Sequence, residues 1–350
     1  MKRYCREAIA GIAGYVPGEQ PQDRRYIKLN TNENPYPPSP AAAAVLRAFD
    51  PEQLRLYPDP VAMELRAEAA RLAGLPGPDW VLAGNGSDDL LTIGARTFAD
   101  AGAPLAYTDP SYSLYPVLAD LQGCVRRPVS LEPDFSLPDD AAKLAGNAPL
   151  LFLARPNAPT GNTFPLAGMH NLCREFPGVV WIDEAYGDFA PDHCLDFVRQ
   201  YPNVIVSRTF SKSYSLAGLR LGFAFARPEL IAEMMKVKDS YNLSRLTQTL
   251  GLAALQDQAY LKDRVAAVCR TRDRVAAAAV ALGCDVIPSA ANFLFLRPPR
   301  PAAEVFQGLR TRGVLVRYFP GGRTGDRLRV TVGTDEEMDV FLRELQGLCP

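Results

Sequence analysis

Short apolar runs at 80–83, 105–107, 150–154, 179–182, 204–207 and 221–226 recur along the middle of the chain, with amphipathic stretches at 88–99, 112–121 and 166–176 between them. An uninterrupted apolar run predicts a strand buried on both faces. Apolar positions three and four apart predict a helix with one buried side. Their alternation predicts an α/β fold, a mostly parallel sheet flanked by helices. Ahead of it, 61–74 reads as a helix, with Asp59 as N-cap, Pro60 at the first helical position and Gly74 as the left-handed stop. From about residue 260 the rhythm changes. A long helix rich in alanine and arginine is expected over 259–282, then short strands around 292–296, 314–317 and 328–332. A last helix is opened by Thr334-Asp335-Glu336-Glu337, the spelling of a capping box. This predicts a smaller α+β domain at 259–350, a large domain at 39–258, and an N-terminal segment, 1–38, associated with the small one.

The bulk numbers agree. At 350 residues the chain is too long for one simple core and suits a large domain with a smaller companion. Net charge is −1, from 38 basic and 39 acidic residues, so no nucleic-acid partner is expected. No run of about 18 apolar residues is present, and residues 1–13 do not spell a secretory signal, so no membrane span and a cytoplasmic location are expected. Seven cysteines stand singly, and only two histidines, His170 and His193, are available. Reduced thiols and no bound metal are expected, and a Ser-His-Asp triad is poorly supplied.

Ligands of open α/β sheets bind beyond the carboxyl ends of the strands. Four polar turns fall there, at 84–87, 155–161, 183–186 and 208–212. A lone Ser-Lys pair is usually a solvated surface feature. Here Thr209, Ser211 and Arg220 add two hydroxyls and a guanidinium fork, which suit a phosphate dianion. The amine of Lys212 can condense with an aldehyde. A phosphate-bearing aldehyde means pyridoxal phosphate. Asp183 ends an apolar strand, where its carboxylate would meet a protonated ring nitrogen and make the ring an electron sink; a helix N-cap is the plainer role for such a residue. Tyr186 can bring a phenol to the ring oxygen. Ser87 and Asp88 open the helix at 88–99, whose free N–H groups and dipole favour phosphate. Tyr112 can stack on a planar ring or simply fill the core.

Four motifs span nearly the whole chain in order: Ile27-Lys28-Leu29-Asn30-Thr31-Asn32-Glu33-Asn34-Pro35, Tyr57-Pro58-Asp59-Pro60, Ser211-Lys212 through Arg220, and Leu328-Arg329-Val330-Thr331-Val332-Gly333-Thr334. In these the chain resembles the fold-type I pyridoxal-phosphate aminotransferases, and more closely their histidinol-phosphate aminotransferase branch. The resemblance implies that Lys212 holds the cofactor as a Schiff base and moves the substrate proton. It implies that Asp183 pairs with the pyridine nitrogen, Tyr186 with the phenolic oxygen, and that Tyr112 stacks on the ring. Ser87, Asp88, Ser211 and Arg220 would lie at the phosphate, and Tyr57 would reach it from a second subunit of a homodimer. Arg329 would hold the substrate's acidic group, helped by Arg317 and Tyr15. The chain departs from the family at Ala158, where an asparagine amide usually meets the phenolic oxygen. Asn157, one residue earlier, is expected to take over that bond; otherwise Tyr186 acts alone and the aldimine pKa should be higher than in relatives. The implied reaction passes the amine of L-histidinol phosphate to 2-oxoglutarate, giving imidazole acetol phosphate and glutamate in histidine biosynthesis. An aromatic amino-acid aminotransferase and a threonine-phosphate decarboxylase are alternatives on the same scaffold. A regulator that binds the cofactor without turnover is a third, against which the intact Lys212, Asp183 and Tyr186 speak.

Overall fold

Three sheets, of seven, four and two strands, organise the computed structural model, which describes residues 4–15, 18–21, 23 and 25–349. Residues 1–3, 16, 17, 22 and 24 of the N-terminal segment lie outside the described residues. Strand β1 (Ile27–Lys28) stands apart from the main sheet. That sheet contains β2 (Val81–Gly84), β3 (Pro104–Asp109), β4 (Val125–Ser130), β5 (Leu150–Ala154), β6 (Val179–Asp183), β7 (Val204–Thr209) and β8 (Gly222–Phe225). The order is β2-β8-β7-β6-β5-β3-β4. Neighbours are parallel except at β8, which runs antiparallel to both β2 and β7.

The apolar runs mark the central strands because these are buried on both faces: all five residues of β5 are buried. Alternate side chains enter different cores. Val180 and Ile182 pack into one, Trp181 into the other. Strand β4 was not expected. It is an edge strand with Arg126, Arg127 and Pro128 in it and mostly exposed positions, so it carries no apolar run.

The helix expected over 61–74 is Met63–Leu72. Asp59 does bind backbone N–H groups, those of Val61 at 3.0 Å and Met63 at 2.6 Å, but from a turn before the helix. Pro60 sits in that turn rather than at the first helical position. Gly74 has the left-handed φ expected of it, +65°.

The smaller sheet contains β9 (Asp285–Ile287) and β10 (Phe293–Arg297). The single strand expected over 314–317 is two strands, β11 (Val314–Leu315) and β12 (Arg317–Tyr318), which pair in different sheets. With β13 (Leu328–Thr331), the antiparallel order is β12-β13-β10-β9, while β11 pairs in parallel with β1. The helix Gln258–Ala281 buries Leu261, Val268, Val275 and Ala279, spaced seven and four apart along one face. The capping box at the last helix, Asp335–Gln346, is complete: Thr334 Oγ1 accepts from the Glu337 N–H, and Glu337 Oε2 accepts from that of Thr334.

The pairing of β1 with β11 delivers the following turn to the edge of the main sheet. Leu29 N–H donates to Leu315 and the Leu29 carbonyl accepts from Thr331. Farther on, the Asn34 amide donates to the carbonyls of Lys212, at 2.9 Å, and Ser213, at 3.2 Å.

Candidate active site

A cavity of about 450 Å³ lies at the carboxyl ends of β3, β5, β6 and β7, lined also by the start of the helix Ser87–Phe98, by residues 30–33, and by Arg317 and Arg329 of the smaller sheet. Every site residue expected from the sequence lines it except Asn157 and Tyr57.

Lys212 Nζ points across to the N-terminal segment and donates to the Thr31 carbonyl at 3.2 Å. Burial, with the nearby Arg329 cation, pushes its pKa down to about 8, so a usable fraction of the amine is neutral near neutral pH. The turn that carries it is anchored from behind. Ser213 Oγ bonds Asp188, which pairs with Arg208 at 3.0 Å, and Arg208 pairs with the fully buried Glu184 at 2.9 Å.

Asp183 is 3 % exposed. Its carboxylate accepts from Tyr115 Oη, Ser207 Oγ and the Ala185 N–H, each at 3.2 Å. Trp181 Nε1 donates to Ser207 Oγ, which leaves that hydroxyl's proton for Asp183. No lysine or arginine among the described residues pairs with this carboxylate. Burial raises its pKa to about 6 despite the three bonds. A buried carboxylate short of a counter-charge, open to a cavity, is a receptor for a cationic ring nitrogen.

The anion cradle is built from two loops. Thr209 Oγ1 and Ser211 Oγ are 3.0 Å apart, and Arg220 Nη1 reaches the latter at 3.4 Å. Gly86, at φ +90°, precedes the helix Ser87–Phe98; a Cβ there would stand 2.5 Å from Arg220 Nη2. Gly222 is also tightly placed, since its Cβ would stand 3.0 Å from the Gly86 and Ser87 backbone. Asp88 does not oppose an anion unchecked: it accepts from Tyr112 Oη at 3.0 Å and lies 3.7 Å from Arg220 Nη2. The Tyr112 ring borders the cavity, edge-on to Tyr15.

Arg329 and Arg317 are cross-strand partners on β13 and β12. Arg329 Nη2 donates to the Asn30 carbonyl at 3.0 Å, while its buried Nε is without a hydrogen-bond partner. A second cationic centre therefore faces the cavity from the smaller sheet, available to another anionic group.

The expectation for Asn157 is corrected. Its amide nitrogen donates to Pro110 O and Thr160 Oγ1, and its oxygen accepts from Ser111 Oγ. These bonds fix the loop 155–161 and leave nothing for the cavity. Tyr57 is 77 % exposed, stacked on Tyr241 with ring centroids 4.5 Å apart, away from this chain's cavity.

Sequence reasoning missed Tyr115, Ser207 and the role of Asn32, whose amide donates to Tyr186 Oη at 2.9 Å. Asn32 stands in a quoted motif, but its contacts lie on residues 154 and 299 positions away. An amine, an uncompensated buried carboxylate and an anion cradle of two hydroxyls and a guanidinium around one cavity fit pyridoxal phosphate.

This sheet and cavity are those of a fold-type I pyridoxal-phosphate enzyme. Residues 24–345 match the family described as aminotransferase class I and II, and the chain belongs to that family. The histidinol-phosphate aminotransferase of Geotalea uraniireducens (strain Rf4) is 47 % identical over 345 residues, covering 98 % of this chain and 99 % of its own. That of Synechocystis sp. (strain ATCC 27184 / PCC 6803 / Kazusa) is also 47 % identical over 345 residues, with 98 % and 97 % covered. Among solved structures, histidinol-phosphate aminotransferase from Sinorhizobium meliloti in complex with pyridoxal-5'-phosphate superposes with a TM-score of 0.91 at 26 % identity, covering 99 % of this chain and 98 % of that one.

Proposed function

We propose that this aminotransferase uses pyridoxal phosphate to pass the amine of L-histidinol phosphate to 2-oxoglutarate, giving imidazole acetol phosphate and glutamate, a step of histidine biosynthesis. The observation that carries the substrate is the 47 % identity to histidinol-phosphate aminotransferases along 98 % of the chain. Two separate cationic centres in one cavity agree with it, because a phosphorylated donor on a phosphorylated cofactor needs both.

When bound, the cofactor supplies an aldehyde for the amine and a ring that accepts the electron pair left on a deprotonated carbon. Lys212 Nζ holds the cofactor and, once free, takes the proton from the carbon bearing the amine and returns it later. Asp183 keeps the ring nitrogen protonated, and Tyr186 donates to the ring oxygen. Ser87, Asp88, Thr209, Ser211 and Arg220 would hold the phosphate, and Tyr112 would stack on the ring. Arg329 grips the acidic group of each substrate in turn, since one guanidinium fork accepts phosphate or carboxylate. Arg317 and Tyr15 frame the same end.

The active unit is a homodimer in which Tyr57 reaches the other subunit's phosphate. Supporting this, Tyr57 lies outside its own cavity, and the segment around it exposes Leu46, Leu54, Leu56 and Met63. No helix among the described residues is long and apolar enough to cross a membrane, which agrees with a cytoplasmic enzyme.

The test is a spectrum of the cofactor-loaded protein mixed with L-histidinol phosphate and no oxo acid. Bleaching of the visible band faster than with phenylalanine or threonine phosphate is expected. An unchanged band removes this substrate and brings forward the aromatic aminotransferase or the decarboxylase.

A further inference from the structure

We propose that Asn32 and Thr331 are positioning residues that fix the direction of the Tyr186 hydroxyl, turning its proton into the cavity. The proposal rests on the reading of Tyr186 as donor to the cofactor's ring oxygen.

A tyrosine hydroxyl both donates and accepts, so a single partner does not settle its direction. Here the direction is settled by a chain that starts at a backbone N–H, which can only donate. The Asn32 N–H donates to Thr331 Oγ1 at 2.9 Å. The Thr331 proton therefore points elsewhere, and Asn32 Oδ1 lies 3.0 Å away to receive it. That assigns the amide's oxygen end and leaves its NH₂ end on Tyr186 Oη at 2.9 Å. With a lone pair of Oη occupied, the Tyr186 proton turns away from Asn32, toward the space shared with Lys212, whose Nζ lies 5.7 Å from the Tyr186 ring centroid.

Asn32 is held for this task in a left-handed conformation, φ +56°, which asparagine tolerates better than most residues. The Asn292 amide clamps its carbonyl at 3.1 Å, and Asn32 and Thr331 are almost wholly buried. The neighbouring loop offers no substitute: Asn157 is turned away, and Ala158 brings only a methyl group to the cavity.

A proton aimed at an anionic ring oxygen stabilises the deprotonated form of the bound chromophore. Losing that aim raises the pH at which the visible band of the loaded protein titrates. Thr331→Val keeps shape but removes the relay hydroxyl, and Asn32→Gly keeps the left-handed backbone but removes the amide. Each is expected to move the midpoint up by about one pH unit, the scale of a hydrogen bond to a charged acceptor. Thr331→Ser restores the relay and the original midpoint. Neither change shifts the midpoint further in a Tyr186→Phe background. An unchanged midpoint in Thr331→Val, or an equal shift without the Tyr186 hydroxyl, overturns the proposal. Should Asn32→Gly not fold, the threonine pair decides alone. A parent protein that develops no visible band with pyridoxal phosphate would instead sink the functional reading.

Discussion

Asp183 and Lys212 are each perturbed mainly by burial, and the signs of their shifts make separate predictions. The Asp183 pKa rises from 3.8 to about 6, so the folded cofactor-free protein keeps a proton the unfolded chain has lost. Its contribution to stability is intact below the unfolded value and is lost as pH rises through about 6, a cost of roughly 3 kcal/mol. Asp183→Asn should therefore raise the melting temperature of the cofactor-free protein at pH 8, leave it nearly unchanged at pH 4, and abolish most turnover of the loaded enzyme. Melting curves at the two pH values check this; a parallel change at both would contradict it. The Lys212 shift runs the other way, down to about 8. Cofactor uptake needs the neutral amine, so its rate should climb about tenfold per pH unit below 8 and level off above. Stopped-flow absorbance reads that profile directly. Arg329, whose buried Nε has no hydrogen-bond partner, is the proposed anchor for both substrates. Arg329→Ala should raise KM for L-histidinol phosphate and for 2-oxoglutarate alike; a selective loss of one would end the idea of a shared anchor.

At the scale of elements, the cavity depends on two loops meeting without side-chain bulk. Gly86→Ala forces a Cβ onto Arg220 in a backbone conformation that suits glycine, so it should weaken cofactor affinity tenfold or more while the fold survives. Fluorescence titration of the cofactor-free protein measures this, and an unchanged affinity would mean the loop simply gives way. Central strands were legible in the sequence because burial on both faces writes itself as an apolar run, as in β5. Edge strand β4 was not, because its exposed arginines look like loop. The turns carrying Lys212, Asp183 and Arg220 were legible because chemistry follows strand ends in this architecture. Asn157 was misjudged for the converse reason: proximity along the chain says nothing about which way an amide faces, and three neighbours claim this one. Asn32 shows the remaining blind spot, a contact made only when distant strands pair.

At the scale of the whole molecule, the N-terminal segment and the long helix Gln258–Ala281 link the seven-stranded sheet to the four-stranded one. The domain limits 1–38, 39–258 and 259–350 stay a proposal, for which limited proteolysis near those junctions is the test. Assembly is more directly checked. Lys212→Ala and Tyr57→Ala proteins, each inactive or nearly so, should regain activity when unfolded and refolded together, because a mixed dimer contains one site with both residues intact. Mixing without recovery would place Tyr57 outside the partner's site.

The bond between Asn32, which lines the cavity, and Thr331 behind it also has a meaning for synthesis on the ribosome. The two residues are 299 positions apart, and at about 5–20 residues per second roughly 15–60 s separate their emergence. Strand β1 waits as long for β11. Lys212 is made well before its enclosure, so a nascent or prematurely terminated chain has that amine without a finished pocket. Only a chain translated through β13 can close the site, which makes a finished cavity a late product of synthesis.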